Sequence, residues 1–326
     1  MKRSKNIISN QISIEQITQC CNDDLKHFMR HFFQLEFNWL RNAYTTFKDF
    51  DKYIILIYLI NMTLKTYNKH FHNISFDDFY KSNSIEIEKI SVIELVKKLS
   101  ITKETARRKL NELSKTQIIA RDRKKVVLIN PFKFQKPESN IKELAKLLKC
   151  ISMKLKKIYD LDDYEEEEFI KLIKKNYTQY WHYFLNFQLE FLMRARKQYG
   201  SIDNLYIMGA CTLNQSFNMK NTIEKNYNSI NVINFAEFIT SHPDNKFRGL
   251  NPTTISDLTS IPRASVIRKL KILKKNKYLI NNKKNLFTLV SDKENPTSFK
   301  KMKKVFLDNQ LSLRIFLKDM MNFVRV

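Results

Sequence analysis

Residues 92–129 align with residues 252–289 without a gap, 160 positions apart. The matches fall where a packed unit needs them: Ile101 with Ile261, Leu110 with Leu270, Leu113 with Leu273. Ser100, Arg108, Lys109 and Lys115 recur as Ser260, Arg268, Lys269 and Lys275. Upstream, the segment FQLEF occurs at 33–37 and again at 187–191, each time inside an aromatic helical stretch. Each copy is followed by an apolar stretch opening at an aspartate, Asp51 or Asp203. Each unit later reaches a proline, Pro137 or Pro296, before a last helical stretch. A pentapeptide can recur by chance, but four elements in one order cannot readily do so. The chain reads as an internal duplication.

Only 3 glycines and 6 prolines occur in 326 residues, so helix breakers are scarce and a mostly α chain is expected. The same scarcity argues against glycine-cradled phosphate sites. Each unit reads as a long amphipathic helix (roughly 13–47 and 165–199) and a second helix (roughly 51–70 and 203–221). Short pieces follow over 74–87 and 230–247, then two closely spaced helices, a β-hairpin and a last helix (roughly 138–158 and 299–324). The units are expected at 1–136 and 161–292, joined by a connecting helix over 137–160 and closed by another over 293–326. Seven acidic residues between Asp160 and Glu168 mark the boundary and suit the first turn of a helix, where the dipole favours negative charge.

In the first copy, Ser91 and Glu94 form a capping box that starts a helix at Val92, with Leu95 and Leu99 facing inward. Ser100-Ile101-Thr102 makes a turn in which Ile101 plugs the gap and Thr102 caps a second helix reaching about Ser114. Its buried face is Ala106, Leu110 and Leu113. Ile118 and Ile119 lead into a strand, 121–125 is the turn, and 126–129 returns. In the second copy Asn251 caps a helix with Pro252 at its first position, and Pro262 opens the next. Val266, Leu270 and Leu273 lie inside, and strands at 278–280 and 286–289 flank a turn at 281–285.

Both copies resemble the winged helix-turn-helix of bacterial transcriptional regulators. The first, with its Arg121-Asp122-Arg123-Lys124 wing behind two leading helices and before a closing one, is similar to the MarR family. The resemblance covers about 40 residues per unit. It implies binding to double-stranded DNA, with the second helix of each pair in the major groove and the wing along the backbone. Those proteins act as dimers, so a duplicated chain is expected to form a monomeric, single-chain pseudo-dimer of tandem winged helix-turn-helix units.

Charge agrees with this reading. The chain carries a net +25, which favours a polyanionic partner. Residues 97–125 hold a net +8 and residues 263–284 a net +9, so under a sixth of the chain carries 17 of the 25 charges. On the first recognition helix Lys103, Glu104 and Arg107 point away from the buried face toward bases, with Thr105 and Arg108 toward phosphates. In the second copy Arg263, Ala264 and Ile267 face bases, and Ser265 and Arg268 face phosphates. Arg121, Arg123, Lys124 and Lys125, with Lys283 and Lys284, are the wing contacts.

The aromatic stripes, Phe28, Phe32, Phe33, Phe37, Trp39 and Tyr44 against Tyr180, Trp181, Phe184, Phe187 and Phe191, read as core between the units. The alternative is a pocket for a small aromatic or apolar effector. Glu36 and Glu190 need partners if they face that seam, with Arg41, Arg194 and Arg196 as candidates. His27 and His31 share one helical face near Cys20 and Cys21, a spacing that can hold a metal. No further ligand stands at a motif spacing, so neither metal nor cofactor is expected. No HExxH, GxSxG, Walker loop or paired DxD occurs, and the chain reads as a non-enzyme. The four cysteines show no disulfide rhythm and no apolar run spans a membrane, which suits the cytoplasm. Two other functions share these features: a plasmid- or phage-type replication initiator, and a winged-helix module that binds protein instead of DNA.

Overall fold

The computed structural model describes residues 11–70, 72–82, 84–87, 90–121, 126–129, 137–218, 232–241 and 249–324. It is mostly helical. The first half runs α1 (Ile14–Asp23), α2 (Leu25–Phe47), α3 (Phe50–Lys69), α4 (Phe76–Lys81), β1 (Ser84–Ile87), α5 (Val92–Leu99), α6 (Lys103–Lys115), β2 (Ile119–Arg121), β3 (Val126–Ile129) and α7 (Glu138–Tyr159). The second half runs α8 (Glu166–Lys175), α9 (Tyr177–Tyr199), α10 (Ile202–Asn218), α11 (Val232–Ser241), α12 (Pro252–Thr259), α13 (Arg263–Lys275), β4 (Leu279–Asn281), β5 (Phe287–Leu289) and α14 (Pro296–Val324).

The two long leading helices expected from periodicity are each broken once. Asp24, at φ −143° and ψ 58°, separates α1 from α2, and Asn176, at φ −109° and ψ 41°, separates α8 from α9. Asp and Asn are weak in helix interiors because their side chains compete for nearby backbone groups. At the second break Asn176 Oδ1 also accepts from Asn73 Nδ2 at 2.6 Å, which ties the bend to the loop before α4. α2 then ends at Lys48 and α9 at Gly200, both left-handed, the latter at φ 81°. The acidic run sits as expected, with Glu166, Glu167 and Glu168 in the first turn of α8.

The halves interleave. α3 packs along α9 and α10 along α2, while α14 lies on α9 and meets α1. Buried rings join the FQLEF helices: Phe32 meets Phe187 with centroids 6.2 Å apart, and Trp39 meets Trp181 edge-on at 5.7 Å and Phe184 at 4.9 Å. One continuous apolar core therefore runs through both halves, and the inner faces of both helix pairs belong to it.

α5 and α6 form the first helix-turn-helix. Thr102 caps α6 by accepting from the Thr105 amide at 3.1 Å, Ser100 takes the left-handed turn at φ 51°, and Ile101, Ala106, Leu110 and Leu113 are buried. The capping box at α5 is only half made. Ser91 accepts from the Glu94 amide at 3.1 Å, but Glu94 accepts from the Tyr58 hydroxyl at 3.0 Å instead of the Ser91 amide. A neighbouring helix, α3, supplies the carboxylate's donor. β1 adds an antiparallel third strand to the hairpin, in the order β1-β3-β2.

In the second half Leu250 makes a single antiparallel bridge to Phe287. Gly249 leads into it because a Cβ there would lie 2.7 Å from the Phe287 carbonyl oxygen, too close for any side chain. The hairpin strands are Leu279–Asn281 and Phe287–Leu289, one residue from their expected edges.

Lys109 fastens α6 to the core. It is 5% exposed, and its Nζ lies 2.6 Å from Asp49 at the start of α3 and 3.0 Å from Glu112. Burial alone would pull its pKa down, but the two carboxylates hold it above the usual range. We expect Lys109→Ala to deprive Asp49 Oδ2 of its partner and cost about 2–3 kcal/mol in urea unfolding, below the figure for fully buried pairs because Asp49 is partly exposed and its Oδ1 keeps two backbone amides. A loss under about 0.5 kcal/mol would mean the contact is a surface ion pair only.

Candidate nucleic-acid interface

With the buried face of α6 committed to packing, the opposite face carries the chemistry. Lys103, Glu104, Arg107 and Arg108 are exposed there. Arg108 reaches back to Glu112 at 3.7 Å, a loose i,i+4 pair that an incoming phosphate can replace. Thr105 is half-buried, and its hydroxyl accepts from Thr102 at 3.0 Å, so it serves the cap first. Lys97 and Lys98 on α5 and Lys115 at the end of α6 are also exposed, which widens the basic surface beyond the residues singled out from sequence.

The same face of α13 differs in composition. Arg263, Ala264 and Arg268 are exposed, and Ser265 and Ile267 are half-buried. Arg263 donates from Nε to Thr253 Oγ1 at 3.1 Å, which steadies the guanidinium over α12 and leaves its two terminal nitrogens available for a fork-like contact. Lys271, Lys274, Lys275 and Lys277 extend the basic surface. Lys269 is turned inward and donates to Asp203 at 3.2 Å and Ser201 at 3.1 Å, at the start of α10.

The turn between β4 and β5 is built from asparagines. Asn282 accepts from the amides of Lys284 and Leu286 at 3.0 Å each, and Asn285 takes φ 56°. That arrangement leaves Lys283 and Lys284 exposed at the tip. In the first wing the backbone of Arg121 ends β2, while Arg123, Lys124 and Lys125 lie outside the described residues.

Residues 86–131 match the family model of the DeoR-like helix-turn-helix domain. The match supports a winged helix-turn-helix regulator. Helix-turn-helix domains of this type bind DNA, and the matched span runs from within β1 through α5, α6 and the wing. No curated protein and no solved structure matches the chain. No helix among the described residues is long and apolar enough to cross a membrane.

Two roles were not legible from residue type. Lys109 and Lys269 recur at the fixed offset inside the basic segments, yet both point inward and tie the DeoR-like helix pair and its counterpart to the leading helices. Their recurrence was the available signal. It marked a shared structural task.

A cavity of about 160 Å³ lies between α2, α9, α10, α11 and α14. Phe33, Phe37, Met208, Ile239 and Phe306 form much of its wall, with Glu36 and Gln310 as polar groups. The expected arginine partner for Glu36 is absent among the described residues, because Gln188 on α9 reaches it first and donates from Nε2 at 2.6 Å. Burial pushes the Glu36 carboxyl up to about 8, against a smaller opposing effect of that hydrogen bond. Glu190 instead faces outward and accepts from Arg194 at 2.9 Å, and Arg196 pairs with Asp51.

Proposed function

We propose that the chain is a tandem duplication folded as a monomeric pseudo-dimer, and that it is a sequence-specific regulator of transcription rather than an enzyme. Its two recognition helices read two different half-sites on double-stranded DNA. One observation carries this reading: the two helix pairs share a scaffold and differ at the exposed positions. α5 and α12 have eight residues each, and α6 and α13 thirteen each. Ser100 and Ser260 both turn left-handed, as do Gln117 and Lys277 after the second helix. Against that common frame Lys103, Glu104 and Arg107 stand where the second copy has Arg263, Ala264 and Ile267. The leading and closing helices around each unit favour the MarR-like arrangement.

Glutamate can accept from a cytosine amino group, whereas alanine and isoleucine offer only apolar contact to a thymine methyl. Selection of bound DNA from a random pool should therefore return a non-palindromic site with centres about 10 base pairs apart. Arg263→Ala should cost about 1–3 kcal/mol and relax one half-site, and Arg107→Ala should relax the other. A perfect inverted repeat overturns the asymmetric reading. Iterated direct repeats would favour a replication initiator, and no binding at low salt a protein-binding module.

The cavity supports a small aromatic or apolar effector. Its volume is close to the roughly 150 Å³ that accommodates benzene in an engineered apolar cavity. Glu36 Oε2 and both side-chain polar atoms of Gln310 are buried without a hydrogen-bond partner among the described residues. Leu289 of β5 is on the cavity wall, and its amide donates to Gln215 at 3.0 Å, so a ligand there would touch the base of the second wing.

A further inference from the structure

Three ligand-type side chains from two helices far apart in sequence converge on one flank of the molecule. His27 and His31 stand one turn apart on α2, with their Nε2 atoms 3.1 Å from each other and their rings edge-on at a centroid distance of 4.5 Å. Cys150 comes from the middle of α7, and the three ligand atoms all lie within 4.8 Å of one another. A hydrogen bond between two imidazoles accounts for the first distance. It gives no reason for a thiol to complete the triangle.

We propose that His27, His31 and Cys150 bind a zinc ion. Zinc sits about 2.0–2.1 Å from imidazole nitrogen and about 2.3 Å from thiolate sulfur, in tetrahedral geometry. Ligand atoms around such an ion are therefore about 3.3–3.6 Å apart. The histidine nitrogens, 3.1 Å apart, need to open by only a few tenths of an ångström, and the thiol, within 4.8 Å of both, to close by about 1 Å. Imidazole with thiolate is a donor set that suits zinc and suits calcium or magnesium poorly.

Three protein ligands leave the fourth position of the tetrahedron to a water molecule. His27 is exposed and the other two are half-buried, so the ion has a path from solvent. Bound there, it would cross-link α2 to α7 beside the Asp24 break, where Lys154 already holds Asp23 at 2.5 Å. The site is independent of the DNA-binding reading.

The test uses the full chain, stripped with a chelator and titrated with cobalt(II) and then zinc. One cobalt per chain is expected, with the visible bands of a tetrahedral ion and a near-ultraviolet thiolate charge-transfer band, both removed by one equivalent of zinc. Cys150→Ser should abolish the thiolate band, and Cys211→Ser, a buried cysteine on α10, should keep it. His27→Gln should weaken zinc binding by more than the roughly 10–100-fold cost of losing an outer partner of a metal site. Because His27 is exposed, that variant should fold as the parent does, checked by circular dichroism. Saturating zinc should raise the melting temperature by roughly 5 °C in the parent and in Cys211→Ser only. Absence of a thiolate band, or zinc binding unchanged in both Cys150→Ser and His27→Gln, overturns the proposal.

Discussion

Raising the salt from about 50 to about 200 mM should weaken binding to DNA by roughly 10³-fold or more, the loss expected when six or more phosphates are contacted. The exposed cations are sufficient for that number. Apart from the base-facing residues, Lys97 and Lys98 on α5, Arg108 and Lys115 on α6, Arg268 and Lys271 on α13, and Lys283 and Lys284 between β4 and β5 are exposed. Each contact releases condensed counterions, so the logarithm of affinity falls linearly with the logarithm of salt, by about 0.9 per phosphate for duplex DNA. Removing Lys283 and Lys284 together should reduce that slope by about two and weaken specific and non-specific sites alike. Lys109 and Lys269 should contribute nothing to the slope, since both are held by carboxylates on the core side. A flat salt response would transfer the basic faces to a protein partner.

Glu36→Gln should stabilise the fold, and more so as the pH rises. The Glu36 carboxyl is buried, and burial raises its pKa from about 4.5 to about 8. The folded chain therefore keeps a proton that the unfolded chain releases across that interval. Where the native state binds more protons, stability falls with pH. The contribution is full below about pH 4.5, declines from there, and is lost once the pH passes about 8. At 1.36 kcal/mol per pKa unit the ceiling is about 5 kcal/mol, and relaxation around the ionised group will reduce it to a few. Glutamine keeps an oxygen to accept from Gln188 and carries no ionisable proton. Urea unfolding of parent and variant should nearly coincide at pH 5 and diverge by about 2–4 kcal/mol at pH 8.5. The difference between the two chains isolates this group from His31 and His182, whose burial lowers their pKa values and gives the opposite slope. Parallel curves at both pH values would mean that water reaches the carboxylate.

Much of each helix pair was legible in the linear chain, because its determinants are local. Spacing of three and four residues put Ala106, Leu110 and Leu113 on one face, and they are buried there. The caps at Thr102 and Asn251 each need only the residue three positions on, and both are made. Which residues are exposed follows as the complement of the buried set, so the outward face of α6 was readable as well. Aromatic density in the FQLEF helices correctly marked them as core, since rings of that size must be buried against something.

Tertiary structure decided whatever depends on a partner distant in the chain. Residue type alone makes Lys109 a surface cation, and only the position of α3 turns it into an internal tie to Asp49. Glu36 needed a donor, and Gln188 on another helix reached it in place of an arginine. The Ser91 box was left half-made, with Glu94 accepting from Tyr58 on α3 instead of from the Ser91 amide. His27 and His31 carried their shared face in their spacing, whereas Cys150 left no trace of its proximity until α7 packed against α2. The physical reason is common to all four. Periodicity records which side of a helix faces inward, but the partner that a polar group meets there is set by how distant helices dock.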